Sequence, residues 1–192
     1  MMFFRVTLLA LLTTLLAACT SQPQVQTPPP SSVSTIKQWE AEGRVGIRTE
    51  HDAVSGNFNW QHSPNTFDLR IYGPFGQGST ELSKSKDGKV VLAYEDQKAE
   101  GYDAEQLLKQ RLGWQFPVRQ VTYWIRGLPY PNTPSTVKKS QNSELPEEIT
   151  QDGWTISYQK FSNIRGLSLP QKMQVSRPPY RVNLIITQWT IQ

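Results

Sequence analysis

Apolar and polar residues alternate with a period of two along most of this chain. Trp39, Ala41, Gly43, Val45 and Ile47 fall on one face of an extended segment, and Gln38, Glu40, Glu42, Arg44 and Arg48 on the other. That is the pattern of a strand with one wet face. A turn at His51-Asp52 leads to Val54, Gly56, Phe58 and Trp60, alternating with Ser55, Asn57, Asn59 and Gln61, so a hairpin is predicted. Phe67, Leu69 and Ile71 against Asp68, Arg70 and Tyr72 make a third strand, and a fourth follows over Thr80 to Ser83. Asp87-Gly88 then turns the chain into a fifth, over Lys89 to Tyr94. Five consecutive antiparallel strands are expected.

Near Tyr102 the period changes. Asp103 is placed as an N-cap, Leu107, Leu108 and Leu112 share a helical face, and Gly113 ends the segment. Pro117 can open a second helix with the stripe Val118, Val121, Trp124 and Ile125, closed by Gly127 and Pro129. Residues 129–143 read as a long polar connection with room for a short strand near Val137. Alternation returns around Ile149, over Trp154 to Tyr158, Lys172 to Val175 and Arg181 to Thr190, with Pro178-Pro179 as the last turn.

The amino terminus has a different pattern. A short basic start ending at Arg5 precedes the apolar run Val6 to Leu16, then Ala17-Ala18 and the only cysteine, Cys19. The run is too short to span a bilayer and has the form of a secretory signal. An ordinary signal peptidase cut after Ala18 would put Leu16 where a small residue is wanted. Leu16-Ala17-Ala18-Cys19 instead resembles the lipobox of bacterial lipoproteins, whose cysteine is acylated and becomes the first residue. One fatty chain holds a protein only marginally, whereas three anchor it stably. Thr20 stands where an aspartate tends to retain such proteins at the inner membrane, so the outer membrane is expected. Residues 20–34, rich in Gln, Pro, Ser and Thr, should stay extended as a tether. The expected organisation is a signal at 1–18, an acylated cysteine and linker at 19–35, and one domain at 36–192.

Charge and chemistry narrow the function further. The formal net charge is +4 at pH 7, one unit of it from Arg5 in the leader, which does not suggest nucleic acid as a partner. All six tryptophans follow residue 38. The chain has no nucleophile elbow, phosphate loop, dinucleotide fingerprint or zinc-protease motif, and no second cysteine for a metal site. His51 and His62 read as exposed turn residues. A hydrolase using Ser79 or His62 is the minor reading, and neither enzyme chemistry, cofactor nor metal is expected. A long one-faced sheet with two short helices can leave a cavity, or Trp60, Leu69, Trp124, Trp154 and Trp189 can fill it. Inward candidates by strand and helix phase are Trp60, Leu69, Trp124, Ile125, Trp154 and Leu184. In Gly73-Pro74-Phe75-Gly76 a large apolar residue sits among turn formers, either projecting from the surface or folded back under the sheet.

Several of these stretches, in order, resemble the LolB family of outer-membrane lipoprotein receptors: the lipobox, Gly73-Pro74-Phe75-Gly76 leading to Ser79-Thr80-Glu81-Leu82, Tyr102-Asp103-Ala104-Glu105, Trp124 to Pro129, and Gln188-Trp189. The resemblance implies an incomplete, unclosed antiparallel barrel of about eleven strands, with a helical plug or lid and a hydrophobic cavity for acyl chains. It implies a monomer at the periplasmic face of the outer membrane. Such a protein accepts lipoproteins from the LolA chaperone and inserts them into the inner leaflet without nucleotide hydrolysis. The family's projecting loop carries an apolar residue, commonly leucine, that falls on Phe75 here. The competing reading is a structural or assembly lipoprotein with a solid β core.

Overall fold

The computed structural model describes residues 30–73, 76 and 78–192. A short 3-10 turn, Val33–Thr35, precedes eleven strands: β1 (Trp39–Arg48), β2 (Ala53–His62), β3 (Phe67–Tyr72), β4 (Thr80–Lys84), β5 (Val90–Tyr94), β6 (Gln97–Gly101), β7 (Ser135–Lys139), β8 (Pro146–Gln151), β9 (Trp154–Ile164), β10 (Leu167–Arg177) and β11 (Tyr180–Ile191). Two helices, α1 (Ala104–Leu112) and α2 (Val118–Trp124), lie between β6 and β7. All strands belong to one sheet in the order β6-β5-β4-β3-β2-β1-β11-β10-β9-β8-β7, and every neighbouring pair is antiparallel. The first and last strands pair at the centre, while β6 and β7 remain as edges. The barrel is therefore unclosed, as the family resemblance implies.

Period-two alternation becomes continuous inward rows across the sheet. Trp60 pairs with Leu69, Leu69 with Leu82, Leu82 with Leu92 and Leu92 with Ala99. On the other flank Val182 pairs with Val175, Val175 with Ile156 and Ile156 with Ile149. Ala99 is the only buried residue of β6; its Gln-Lys-Ala-Glu-Gly sequence carries almost no apolar signal. The first run thus has six strands where the pattern predicts five, because β6 is recruited by the open edge of β5.

Sharp coiling lets one sheet wrap its own core. The register shifts at Glu42/Gly43, where β1 crosses β11, and a Cβ at Gly43 would lie 2.0 Å from the Ile185 carbonyl oxygen. Only glycine permits that approach beside a bulge.

The helices form where their caps direct. The Asp103 carboxylate accepts the Glu105 and Gln106 amides at 2.9 and 3.0 Å, and Gly113 closes α1 with φ 68°, a left-handed conformation that costs glycine little. Pro117 precedes α2, and Gly127 follows it with φ 79°. Leu107 and Leu108 of α1, and Val118, Val121 and Trp124 of α2, are buried, which places both helices against the inward face of the sheet.

Candidate functional site

The helices do not fill the interior evenly. An apolar cavity of about 60 Å³ lies between β1–β4 and β11 on one side and Leu108, Val121, Trp114 and Phe116 on the other. Its walls are Val45, Ile47, Phe58, Trp60, Leu69, Ile71, Leu82, Val182 and Leu184, and Arg48, Thr49, Thr80, Gln115 and Tyr180 also border it. It is well below the roughly 150 Å³ that accommodates a benzene-sized ligand. An acyl chain can enter only if a wall moves.

The wall best suited to move is the α1–α2 connection, residues 113–117. Its side chains Trp114 and Phe116 are half-buried and Gln115 is exposed. Its tethers are the Gly113 and Trp114 amides donating to Lys109 and Leu108, the Phe116 and Pro117 carbonyls accepting the Val118 and Val121 amides at 3.0 Å, Arg177 donating to Gln115 Oε1 at 3.4 Å, and the Phe116 ring meeting Trp154 edge-on at 6.5 Å; none of the backbone bonds reaches the sheet. Ile71 and Thr80, which pair at the ends of β3 and β4, both line the cavity. The 73–79 connection thus springs from its rim. Gly73 follows β3, and its carbonyl accepts the Gly76 amide at 3.0 Å, with Gly76 at φ 76°. Pro74 and Phe75, like Cys19, lie outside the described residues.

Of the six cavity candidates, Trp60, Leu69 and Leu184 line the cavity. Trp124, Ile125 and Trp154 are placed elsewhere. Trp124 is fully buried; its Nε1 donates to Gln151 at 2.8 Å and its carbonyl accepts the Tyr158 hydroxyl at 2.8 Å. Gln151 also accepts the Tyr130 amide at 2.8 Å and donates to the Tyr130 and Thr133 carbonyls at 2.7 and 2.9 Å. This satisfied amide network fixes the end of α2 on β8 and β9. Ile125 is fully buried just beyond α2. Trp154 sits behind the connection, with the Arg177 guanidinium 4.6 Å from its ring centre, and faces an outer cleft shared with Phe116, Pro117 and Gln120. Phe58, Ile71, Val182 and Trp114 line the cavity too; all but Trp114 share the phase of the named candidates, which could have flagged them.

The far end of the same flank is closed by aromatics. Trp39 meets Trp60 edge-on at 5.3 Å and Trp189 at 5.7 Å, and the His62 ring stacks parallel to Trp39 at 5.0 Å. His62 is therefore no exposed turn residue: it ends β2, half-buried. Burial, and secondarily the Arg126 charge, pulls its pKa down to about 4. A base neutral at ordinary pH with an aromatic ring across its face serves packing. Arg126 is itself buried, donating to the Thr122 and Ile36 carbonyls at 3.0 and 2.9 Å. Among the described residues Trp39 Nε1, Trp60 Nε1 and His62 Nδ1 are buried without a partner. Among the described residues no group of three or more His, Cys, Asp or Glu is arranged to hold a metal.

Comparison with known proteins agrees with this architecture. The family model of the outer membrane lipoprotein LolB matches residues 37–189. An outer-membrane lipoprotein LolB of a Marinomonas species is 60% identical over the full length of both chains. The LolB of Chromohalobacter salexigens is 33% identical over 83% of this chain and 73% of its own, and that of Cellvibrio japonicus 32% over 96% of each. A crystal structure of a LolA superfamily protein from Nitrosomonas europaea covers 81% of this chain and 86% of its own with a TM-score of 0.53. At 10% identity that likeness speaks for the fold alone. With the family pattern running from before β1 into β11 and a full-length relative at this identity, the chain belongs to the LolB family of outer membrane lipoproteins.

Proposed function

We propose that this chain is a receptor anchored in the outer membrane through an acylated Cys19 and a linker over residues 19–35. Its domain, residues 36–192, takes acylated lipoproteins from a LolA-like periplasmic chaperone and passes them to the inner leaflet, as a monomer, with no cofactor and no chemistry of its own. The observation that carries this reading is the apolar cavity under β1–β4, walled on one side by a lightly tethered connection. Acyl chains move to whichever site removes more of their surface from water. The order chaperone, cavity, bilayer then needs only rising affinity. Swinging residues 113–117 outward about Gly113 would enlarge the cavity at little cost, since none of their backbone hydrogen bonds reaches the sheet.

Phe75, on the connection that springs from the cavity rim, is assigned the membrane-insertion step. With Gly73, Pro74 and Gly76 it would present an apolar side chain to the leaflet. Phe75→Glu should leave acceptance from the chaperone intact and stall release into liposomes, because a charge at the tip opposes entry into the acyl region. Equal transfer by variant and parent overturns that role.

The deciding experiment mixes the Cys19→Ala chain with a chaperone loaded with an acylated lipoprotein and asks which protein then holds the cargo. Transfer to this chain supports the receptor reading. Cargo left on a competent chaperone, with this chain folded, leaves an envelope lipoprotein of similar shape and structural work.

A further inference from the structure

From Gly153 to the C-terminus the chain contains no aspartate or glutamate, yet it carries Lys160, Arg165, Lys172, Arg177 and Arg181. These residues build β9, β10 and β11, and β11 lies beside β1 at the centre of the sheet. Val45, Met173, Val182 and Leu184 are buried and Ile47 lines the cavity. Alternation therefore sends Arg44, Arg48, Lys172 and Arg181 to the outer face, where all four are exposed, as is Lys160.

The register sets these charges against one another. Arg48 is directly opposite Arg181, which puts their Cβ atoms about 5 Å apart, and Lys172 is the partner of Lys160 at an irregularity where the register shifts on both sides of Lys172. Like charges so placed weaken strand pairing. Elsewhere on the molecule Arg70, Lys89, Lys98, Arg119, Lys138 and Lys139 each have a carboxylate within reach, while Lys37, Lys84, Lys86, Lys109 and Arg111 have none among the described residues but are not set opposite another cation across a strand pair. None of the five on this face has one among the described residues. Glu40 and Glu42 share the outer face of β1, but neither forms an ion pair with these cations, so the opposed charges are left for an external anion to offset.

We propose that this outer face of β9, β10, β11 and β1 docks onto anionic phospholipid headgroups. The residues between the cations are Glu42, Asn57, Ser157, Gln174, Ser176 and Asn183, with Ile185 half-buried among them. The face therefore offers no apolar pocket of the kind that anchors a protein partner. A spread field of long cationic side chains suits a fluid surface of mobile charges, to which each Lys or Arg adds about 5-fold in partition. Arg48 also borders the cavity, so a domain lying on this face holds that end of the cavity beside the leaflet. Membership of an outer membrane lipoprotein family keeps such a surface within reach.

The test partitions the full chain carrying Cys19→Ala between buffer and vesicles of phosphatidylcholine alone or of equimolar phosphatidylcholine and phosphatidylglycerol. Binding to the anionic vesicles should exceed binding to the neutral ones by about 100-fold or more at low salt and fall steeply as salt rises. Lys160→Gln with Lys172→Gln should lower it about 30-fold while leaving the melting temperature equal or higher, since a like-charge pair is removed. Equal partition on both vesicles, salt-insensitive partition of the unaltered chain, or a folded double variant that binds like its parent overturns the proposal. So does a double variant that keeps vesicle binding but loses cargo transfer in lipid-free solution, which assigns the face to an acidic protein surface. Cargo acceptance without vesicles reads the receptor function separately, so the two can fail independently.

Discussion

The two flanks of the sheet have the same alternation and opposite interiors. Under β8–β10 the space is filled by Trp124, Ile125, Tyr158 and their neighbours, with Gln151, the Trp124 indole and the Tyr158 hydroxyl all hydrogen-bonded. Under β1–β4 a cavity remains, and among the described residues two indole nitrogens and one imidazole nitrogen are buried there without partners, against one such atom, Gln120 Oε1, beside Asp152 on the other flank. An unsatisfied buried polar group costs about 1–3 kcal/mol, so the hollow flank is the weaker one. The satisfied flank acts as a scaffold, and the costly flank holds the volume a ligand would use.

Cutting into the scaffold should have the largest effect. Trp124→Ala removes a fully buried side chain and leaves Gln151 Oε1 with only the Tyr130 amide as donor, and should lower stability by about 3–5 kcal/mol in denaturant unfolding. If it costs no more than a cavity-wall truncation, the two flanks are not distinct.

On the hollow flank, Leu69→Ala should cost only about 2 kcal/mol, at the low end for such truncations, because the wall already borders a void. It should also raise uptake of an apolar fluorescent probe. Leu69→Phe should change stability by no more than about 1 kcal/mol and reduce uptake. Opposite probe responses at one position would locate the binding volume there.

A pH-dependent effect, smaller than either alanine truncation, concerns His62. Its pKa is about 4 in the fold and about 6.5 in an unfolded chain, so the unfolded state binds the extra proton between those values. Stability from this group is complete above pH 6.5, is lost as pH falls towards 4, and levels off below. Allowing for the ring's partial exposure, the loss is about 1–2 kcal/mol. His62→Gln should flatten that part of the pH profile in denaturant titrations. An unchanged profile would mean that the aromatic end of the hollow flank does not exclude the proton.

Much of this was legible in the residues because local rules govern it. The strands from Trp39 onward follow their alternation, and Asp103, Gly113, Pro117 and Gly127 mark the helix ends where capping chemistry places them. The strand Gln97–Gly101 was not legible, because only Ala99 turns inward and pairing to an open edge, rather than its own pattern, makes it extended. His62 was misread as exposed because a residue at a strand end gives no local sign that Trp39 will lie across its ring. Trp60, Leu69 and Leu184 share an inward phase with Trp124, Ile125 and Trp154, so phase could not separate cavity wall from solid core.

The sequence by itself determined that the chain makes a one-faced antiparallel sheet with two capped helices, because alternation, caps and turn residues act within a few positions of one another. Only the tertiary structure decided which flank the second helix fills, where the cavity stays open, and that the cations of β1, β9, β10 and β11 meet on one face. Those outcomes depend on the register and coiling of strands far apart in the chain, and no local pattern encodes them.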